Sequence, residues 1–476
     1  MKEGKSNDQI FTPNEIVKKM VDISGFLGER HDYRILENSF GEGAFLVEIV
    51  SRIIDISLSE GFPPQKIKRI LEENIFGVEK DGFLFDETIR TLNEITNQHQ
   101  IDGVKWNLFC TDFLNFSFLY KFDLIIGNPP YIKYSALMVD ERESIKGKFS
   151  TCQKGNPDLY YAFVEHGKAQ LKPGGVLTYI IPNNVFKTRF GLSLREHIKK
   201  DLVEIYDYKS IRVFEGVLIS TAIIKIVEGI NSETIVYRNC ESNEETNISK
   251  ESLKDKWIFD YGLYNPSGNN RFGDLFKATN SMATLLNDAF VLSGGEVIGN
   301  YYINNNLILE SALIKQACSP RNMNKDKKEY IIFPYKITDC NIEKLNKYDL
   351  KKNIKTLNYL ESKKMELLSR DSDKSARWFE YGRSQSLNLV TKRKIVLSTI
   401  ISGKVKYKIF NENVVPYSGI CIIQNDAYGL EVAAKVLQSD EFKDYVNAIG
   451  INVSGNSIRI SARDINEFRF DDNLLD

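Results

Sequence analysis

The stretch Phe122-Asp-Leu-Ile-Ile-Gly-Asn-Pro-Pro-Tyr131 limits the fold more than any other. Residues 122–126 are largely apolar and read as a buried strand, which Gly127 ends. Neither Pro129 nor Pro130 has an N–H, and each fixes φ near about −65°, so the segment cannot continue a sheet ladder. A rigid tongue at a strand's C-terminal end results, where open α/β sheets place their ligands. On it Asn128 offers an amide, Pro129 a free carbonyl and Tyr131 a flat aromatic face. Two acceptors and a stacking plate are what a planar ligand carrying an amino group needs. Taken alone, these residues are equally a Pro-Pro turn capped by a surface asparagine. The surrounding chain decides.

That chain alternates. Residues 33–40 read as a strand running into Gly41-Glu-Gly43, and Ala44–Leu58 has apolar residues at helical spacing. Ile75–Glu79 reads as a strand before a helix reaching about Thr96; Trp106–Cys110 is a further strand. After a polar segment at 133–154, Asp158–Leu171 is helical, Lys172-Pro-Gly-Gly175 is a turn and Val176–Ile181 is a strand. Gly191–Lys200 is a helix, Leu202–Asp207 a strand, and Ser220–Ile226 is expected to pair with Thr234–Tyr237. Such alternation predicts an α/β fold with a doubly wound, mostly parallel sheet. At 476 residues the chain is too long for one ordinary core. The polar stretch Cys240–Ser252 and the loop-like Asn265–Asn270 place a linker at 241–270, between domains at 1–240 and 271–476. Short strands and many aromatics make the second domain a mixed α+β unit.

Hydrophobic content of 42% and charged content of 27% suit a soluble globular protein. The formal net charge is −1, yet Arg321–Phe410 holds 22 Lys+Arg against 10 Asp+Glu. Trp378, Phe379, Tyr381 and Tyr407 interleave with that charge, a pattern that favours a polyanion partner over a merely solvated face. The six cysteines (110, 152, 240, 318, 340, 421) lie far apart with no C-x-x-C pair, which argues against a zinc ribbon or disulfide framework. With only 4 histidines, no metal site is expected. The charged start Met1–Asn7 is no signal peptide and no apolar run reaches membrane-spanning length, so a cytoplasmic protein away from membranes is expected.

Three acidic positions carry further chemistry. Glu37-Asn-Ser-Phe-Gly-Glu-Gly-Ala-Phe45 is a Gly-x-Gly turn between strand and helix, with Gly41 and Gly43 letting backbone approach a ligand. It lacks the third glycine of the dinucleotide fingerprint, and Glu37 in front would repel a pyrophosphate but suits a cationic amino-acid or sulfonium head. Glu79 ends the next strand, where an acidic side chain commonly takes ribose hydroxyls. Asp112 in Cys-Thr-Asp-Phe offers an acceptor for an exocyclic amine beside an aromatic, Phe113. Ribose, adenine and a cationic amino-acid tail together describe S-adenosylmethionine. Singly, Glu79 and Asp112 could equally be strand-end carboxylates without function.

With these motifs in order the chain resembles the gamma-class, TaqI-like DNA adenine-N6 methyltransferases of bacterial restriction-modification systems. The likeness rests on Phe11-Thr12-Pro13, the Glu37–Phe45 loop, Glu79, Asp112-Phe113, Asn128-Pro-Pro-Tyr131, Asn156-Pro-Asp-Leu-Tyr160, Leu171-Lys-Pro-Gly-Gly-Val-Leu177 and Val213-Phe214. It is strong over residues 8–230 and weaker over 271–470, through Asn287–Leu292, Ile331–Tyr335 and Trp378–Ser384. One departure bears on the cofactor's seating: the family commonly has Ala-Cys or Ala-Ser before the first glycine, and this chain has Asn38-Ser39-Phe40. The resemblance implies an S-adenosylmethionine-dependent methyltransferase fold followed by a DNA target-recognition domain. It implies methyl transfer to N6 of an adenine flipped out of double-stranded DNA. Phe11, Thr12, Pro13, Glu37, Gly41, Gly43, Glu79, Asp112, Phe113 and Asn128 would bind the cofactor, and Asn128, Pro129 and Tyr131 would serve catalysis. Tyr131 and Phe214 would be stacking plates, Phe214 having core packing as its alternative. Trp378, Arg383, Lys392, Arg393 and Lys394 are candidates for the DNA-facing surface, because aromatics and cations lie close together there.

Asn-Pro-Pro-Tyr also occurs in protein glutamine and some RNA methyltransferases, so an RNA or protein amino group is the alternative substrate. Those enzymes usually carry a small N-terminal domain, whereas a large C-terminal domain with a basic patch favours DNA. A catalytically silent specificity subunit fits poorly with an intact Asn128–Tyr131 and Glu79. No nuclease is expected within the chain; a separate restriction endonuclease is compatible with it, and a monomer is expected.

Overall fold

The computed structural model describes residues 10–475 except 27, 29, 260–267, 305, 324–327, 339, 340, 426 and 454–456. The charged start Met1–Asn7, Cys340 and part of the expected linker lie outside the described residues. The chain divides into two compact units, Met1–Phe259 with Ile451–Gly455, and Asp260–Gly450 with Asn456–Asp476.

In chain order the first unit runs α1 (Asn14–Ser24), β1 (Ile35–Glu37), α2 (Ala44–Ser59), α3 (Pro64–Asn74), β2 (Ile75–Glu79), α4 (Gly82–Gln98), β3 (Asn107–Cys110) and β4 (Phe122–Gly127). It continues with α5 (Val139–Lys148), α6 (Tyr160–Ala169), β5 (Leu171–Pro182), α7 (Leu192–Lys199), β6 (Leu202–Asp207), β7 (Thr221–Val227), β8 (Thr234–Asn239) and β9 (Glu244–Ser249). One nine-stranded sheet results, in the order β3-β2-β1-β4-β5-β7-β6-β8-β9. The pairs from β3 to β5 are parallel, and β7 is antiparallel to both β5 and β6. Every residue of β1 and β2 is buried, as befits parallel strands covered on both faces. The order reverses at β1, which places the C-terminal ends of β1, β2 and β4 around one crevice.

Two expectations need correction. Ser220–Ile226 does not pair with Thr234–Tyr237, because β6 lies between β7 and β8. The polar stretch read as the start of a linker contains β9, paired with β8 along its whole length, so first-unit structure continues to Phe259. Polarity there reflects an edge strand with one solvated side, while Trp257 stacks on Phe186 and Phe259 on Tyr237. The polar segment 133–154 contains α5, whose Glu141 carboxylate accepts the Met138 N–H at 2.8 Å.

The second unit is a mixed α+β assembly of small sheets. Phe276–Asn280, Ile420–Gln424, Lys394–Leu397 and Tyr407–Phe410 form one antiparallel sheet. Its aromatics are largely core: Tyr381 is 0% exposed, packs edge-on against Phe290 and donates its O–H to the Ile332 carbonyl at 2.9 Å.

Candidate functional site

Glu37, Glu79 and Asn128 all follow from strands that stop at the crevice. They border one cavity of about 1010 Å³, together with Phe11, Thr12, Gly41, Asp112, Phe113, Pro129 and Tyr131. Most of the sequence-predicted site is therefore brought together. Pro13 and Gly43 act one step back. Pro13 opens α1, its carbonyl accepting the N–H groups of Ile16 and Val17. Gly43, at φ 73°, opens α2, where a Cβ would meet Thr88 Cγ2 at 2.4 Å. Gly41 is also left-handed, at φ 51°, but a Cβ there would meet nothing within 4 Å, so this turn keeps open space beside it.

Glu79 ties the crevice together. Its Oε2 accepts the Gly41 N–H at 2.8 Å, and its Oε1 accepts those of Lys80 and Asp81 at 2.8 and 2.9 Å. Asp81 then caps α4 by accepting from Phe83 and Leu84. Glu37 is 2% exposed and accepts the Leu46 N–H at 3.0 Å. Burial pushes its carboxyl well above the usual carboxylate range; the Leu46 hydrogen bond opposes the shift and the nearby Glu79 charge adds to it. Asp112 is exposed and works as a cap, with Oδ1 taking the Leu114 N–H and Oδ2 the Asn115 amide, each at 2.9 Å.

Asn128 has the most telling geometry. Its Nδ2 donates to the Ile10 carbonyl at 3.0 Å and to Thr12 Oγ1 at 3.2 Å. Both donor hydrogens are thus used by the segment before α1, and Oδ1 is left buried with no hydrogen-bond partner among the described residues. A buried acceptor without a donor costs about 1–3 kcal/mol, so its persistence points to a ligand that supplies one. The Tyr131 ring is held by its O–H, which donates to the Ile180 carbonyl at 3.0 Å. Phe214 does not border the cavity. It is 3% exposed and meets Tyr131 edge-on at 6.1 Å, so core packing, the alternative reading, describes its position.

The cationic candidates of the second unit are mostly engaged. Lys394 is 0% exposed, on a central strand, with Nζ donating to the carbonyls of Lys392 and Asn411; it is not a surface cation. Arg383 pairs with Asp371 at 3.0 Å and Asp373 at 3.2 Å, and Arg393 pairs with Glu431 at 2.7 Å. Trp378 is half-buried beneath the Lys364 ammonium, and Lys392 is exposed.

Sequence reasoning missed two parts of the cavity wall. One is Asn38, which is almost fully buried. The other is α5, through Glu141 and Ile145; acids in its first turn (Asp140, Glu141) and lysines in its last (Lys146, Lys148) were the available signal. Among the described residues no cluster could hold a metal ion, and no helix is long and apolar enough to cross a membrane.

Residues 62–214 match the Eco57I restriction-modification methylase family. The chain is 24% identical over 268 residues to the type II methyltransferase M.BstVI of Geobacillus stearothermophilus, covering 52% of this chain and 46% of that protein. It is also 24% identical to the type II restriction enzyme and methyltransferase RM.Eco57I of Escherichia coli, covering 94% of this chain and 55% of that protein. The chain thus spans about half the length of these curated relatives. Among solved structures, the type IIL restriction-modification enzyme MmeI in complex with DNA superposes with a TM-score of 0.61 at 12% identity, covering 94% of this chain and 65% of that one. The fold of the first unit is the doubly wound methyltransferase fold, and a mixed α+β unit follows it.

Proposed function

We propose that the chain is a DNA methyltransferase acting on the N6 amino group of adenine with S-adenosylmethionine as methyl donor. The observation that carries this is Asn128: its amide is fixed through Nδ2 by Ile10 and Thr12, and Oδ1 remains a buried acceptor with no donor among the described residues. The cavity suits the cofactor in volume and in its donor set, with Glu79 for ribose, Asp112 and Phe113 for adenine and Glu37 for the cationic tail. When bound, that cofactor supplies an electrophilic methyl group on a sulfonium.

The residues of the chain supply orientation. A base amine conjugated to its ring is a poor nucleophile because its lone pair is delocalised. Asn128 Oδ1 and the Pro129 carbonyl accept the two N6 hydrogens and favour a pyramidal nitrogen with its lone pair free. With a methyl donor bound, formation of the N–C bond would accompany cleavage of the donor's methyl–sulfur bond, and the surplus N6 proton would pass along one of these hydrogen bonds to solvent. Positioning and electrostatics do the work, with no strong base required. Tyr131, pinned through its hydroxyl, is the stacking plate for a flipped base, and Phe214 buttresses it from the core. The second unit is the DNA-recognition unit in this reading, and a restriction endonuclease is the partner that the relatives suggest. The test is methylation of random-sequence duplex with labelled cofactor, followed by mapping of the modified base. N6-methyladenine at a defined site is expected. Label on RNA, on protein glutamine or on cytosine alone would overturn the reading.

A further inference from the structure

The end of the first unit's sheet has two sides of opposite charge, divided by the tongue after β4. Where β1, β2 and β3 stop, the cavity is bordered by Glu37, Glu79, Asp81 and Asp112. Where β4, β5 and β6 stop, the loops carry cations instead. Lys133 follows Tyr131 by two residues, Lys154 lies before α6, Arg189 lies between β5 and α7, and Arg212 precedes Phe214 by two residues. All four are exposed, and none has a carboxylate within ion-pair distance among the described residues.

Contacts between the loops bring these cations to one place. The Leu159 N–H donates to the Ile132 carbonyl at 2.9 Å, which ties the tongue to the start of α6. Just upstream, a methyl group built on Gly155 would meet Phe190 Cδ1 at 2.3 Å, so Lys154 and Arg189 flank one contact between two loops. The Asn183 N–H donates to the Ser220 carbonyl at 3.0 Å and joins the end of β5 to the entry of β7. Arg212 arrives through Phe214, whose ring meets Tyr131 at 6.1 Å.

Exposed lysines and arginines are usually a solvated face. Here they come from four separate loops, and segments 128–133, 153–158, 187–191 and 208–220 together hold 6 Lys+Arg against 2 Asp+Glu. Such an arrangement suits a polyanion with regularly spaced charges, and the acidic wall across the tongue repels the same polyanion from the cofactor side.

We infer that Lys133, Lys154, Arg189 and Arg212 form a phosphate-binding arc on the first unit, which holds the backbone of duplex DNA beside the flipped nucleotide. This rests on the DNA reading above. The arc lies outside the basic stretch Arg321–Phe410 that stands out in the sequence.

Fluorescence anisotropy of a short random-sequence duplex, titrated with the full chain at several salt concentrations, tests it. Each phosphate contact contributes about 0.9 to the slope of log affinity against log salt. The variant combining Lys133→Gln, Lys154→Gln, Arg189→Gln and Arg212→Gln should lose about 3 to 4 of that slope. Between about 50 and 200 mM salt its affinity should then fall about 100-fold less than that of wild type. Each single variant should lose about one. Lys133→Arg, Lys154→Arg, Arg189→Lys and Arg212→Lys together keep the charges and should keep the slope. A wild-type slope in the glutamine variant, or an equal loss in the charge-keeping one, overturns the arc and leaves the DNA reading standing. Tighter binding of duplex RNA of the same sequence, lost in the glutamine variant, overturns DNA as the occupant. Wild-type protein that binds no duplex even at low salt overturns the inference and the DNA reading together.

Discussion

The cavity of the first unit and the basic stretch of the second handle their ionic and polar groups differently. At the first, Asn128 keeps a buried oxygen with no partner among the described residues, and Glu37 is buried with its carboxyl pushed well above the usual range. In the second, three of the cations that stand out in the sequence are engaged within the fold: Arg383 and Arg393 have carboxylate partners and Lys394 is in the core. Unsatisfied groups gathered at a cavity indicate a ligand, whereas satisfied charges in a row indicate a fold. Local charge counts cannot separate a DNA-binding surface from a set of ion pairs; partners can.

The largest effect should come from removing the unsatisfied acceptor. Asn128→Ala should lower single-turnover methylation by about 100-fold or more while leaving cofactor affinity nearly intact. Near-normal turnover would dissolve the contrast drawn above, because the orphaned oxygen would then have no task. Next comes Glu79→Ala. That carboxylate holds the N–H groups of Gly41, Lys80 and Asp81, so its loss should weaken S-adenosylhomocysteine by about 10–100-fold and lower the melting temperature as well. Unchanged affinity in calorimetry would move the cofactor elsewhere.

Glu37 gives a prediction of sign. Its pKa in the free protein is raised by burial, so a cation bound beside it favours the ionised form and uptake should release a proton. Affinity should therefore rise with pH, by at most about tenfold per unit, from the ordinary carboxylate range up to the raised value, and level off above it. Calorimetry in buffers of different ionisation enthalpy measures the proton released. Glu37→Gln should abolish that release, and persistence of it in the variant would assign the proton to another group.

Much of this site was legible in sequence because its residues sit where strands end. β2 and β6 fall at their expected bounds, and Pro129-Pro130 marked the tongue because two missing N–H groups forbid any other continuation. The loss came where one-dimensional patterns have two physical meanings. Polar residues at 244–249 read as a linker and are an edge strand, since an edge strand also tolerates polarity. Phe379 and Tyr381 read as a binding surface and are core, since alternation with charge is what a half-buried strand or turn also shows. Asn38 stood out only as a departure from the family pattern, since nothing in a sequence shows that its side chain is buried against the cavity.

Arg383→Ala tests the other half of the comparison. An ion pair at this exposure contributes little, so the melting temperature should fall by no more than about 2 °C and duplex affinity should barely change on cognate or scrambled DNA. Loss confined to cognate duplex would restore Arg383 as a base-reading residue and break the comparison at that point.

The smallest effect belongs to Lys394, and its sign is fixed by linkage. Burial holds its ammonium down to about 8, below the ordinary lysine value of roughly 10.4 that applies in the unfolded chain. Between those two values the unfolded chain binds more protons than the folded one, so stability should rise as pH rises through that window. Below about 8 the folded protein must keep a charged ammonium in its core, where the carbonyls of Lys392 and Asn411 accept from it. Lys394→Met replaces that ammonium with an apolar chain of similar length. The variant should melt at or above the wild-type temperature near neutral pH, and the wild-type gain between about pH 8 and 10 should shrink in it. Lys250, also held down to about 8, is present in both proteins, so the difference between the two melting curves isolates Lys394. Its duplex affinity should not change. A cation that contributed to DNA binding would show the reverse: unaltered melting curves and a salt dependence of binding reduced by about one phosphate contact.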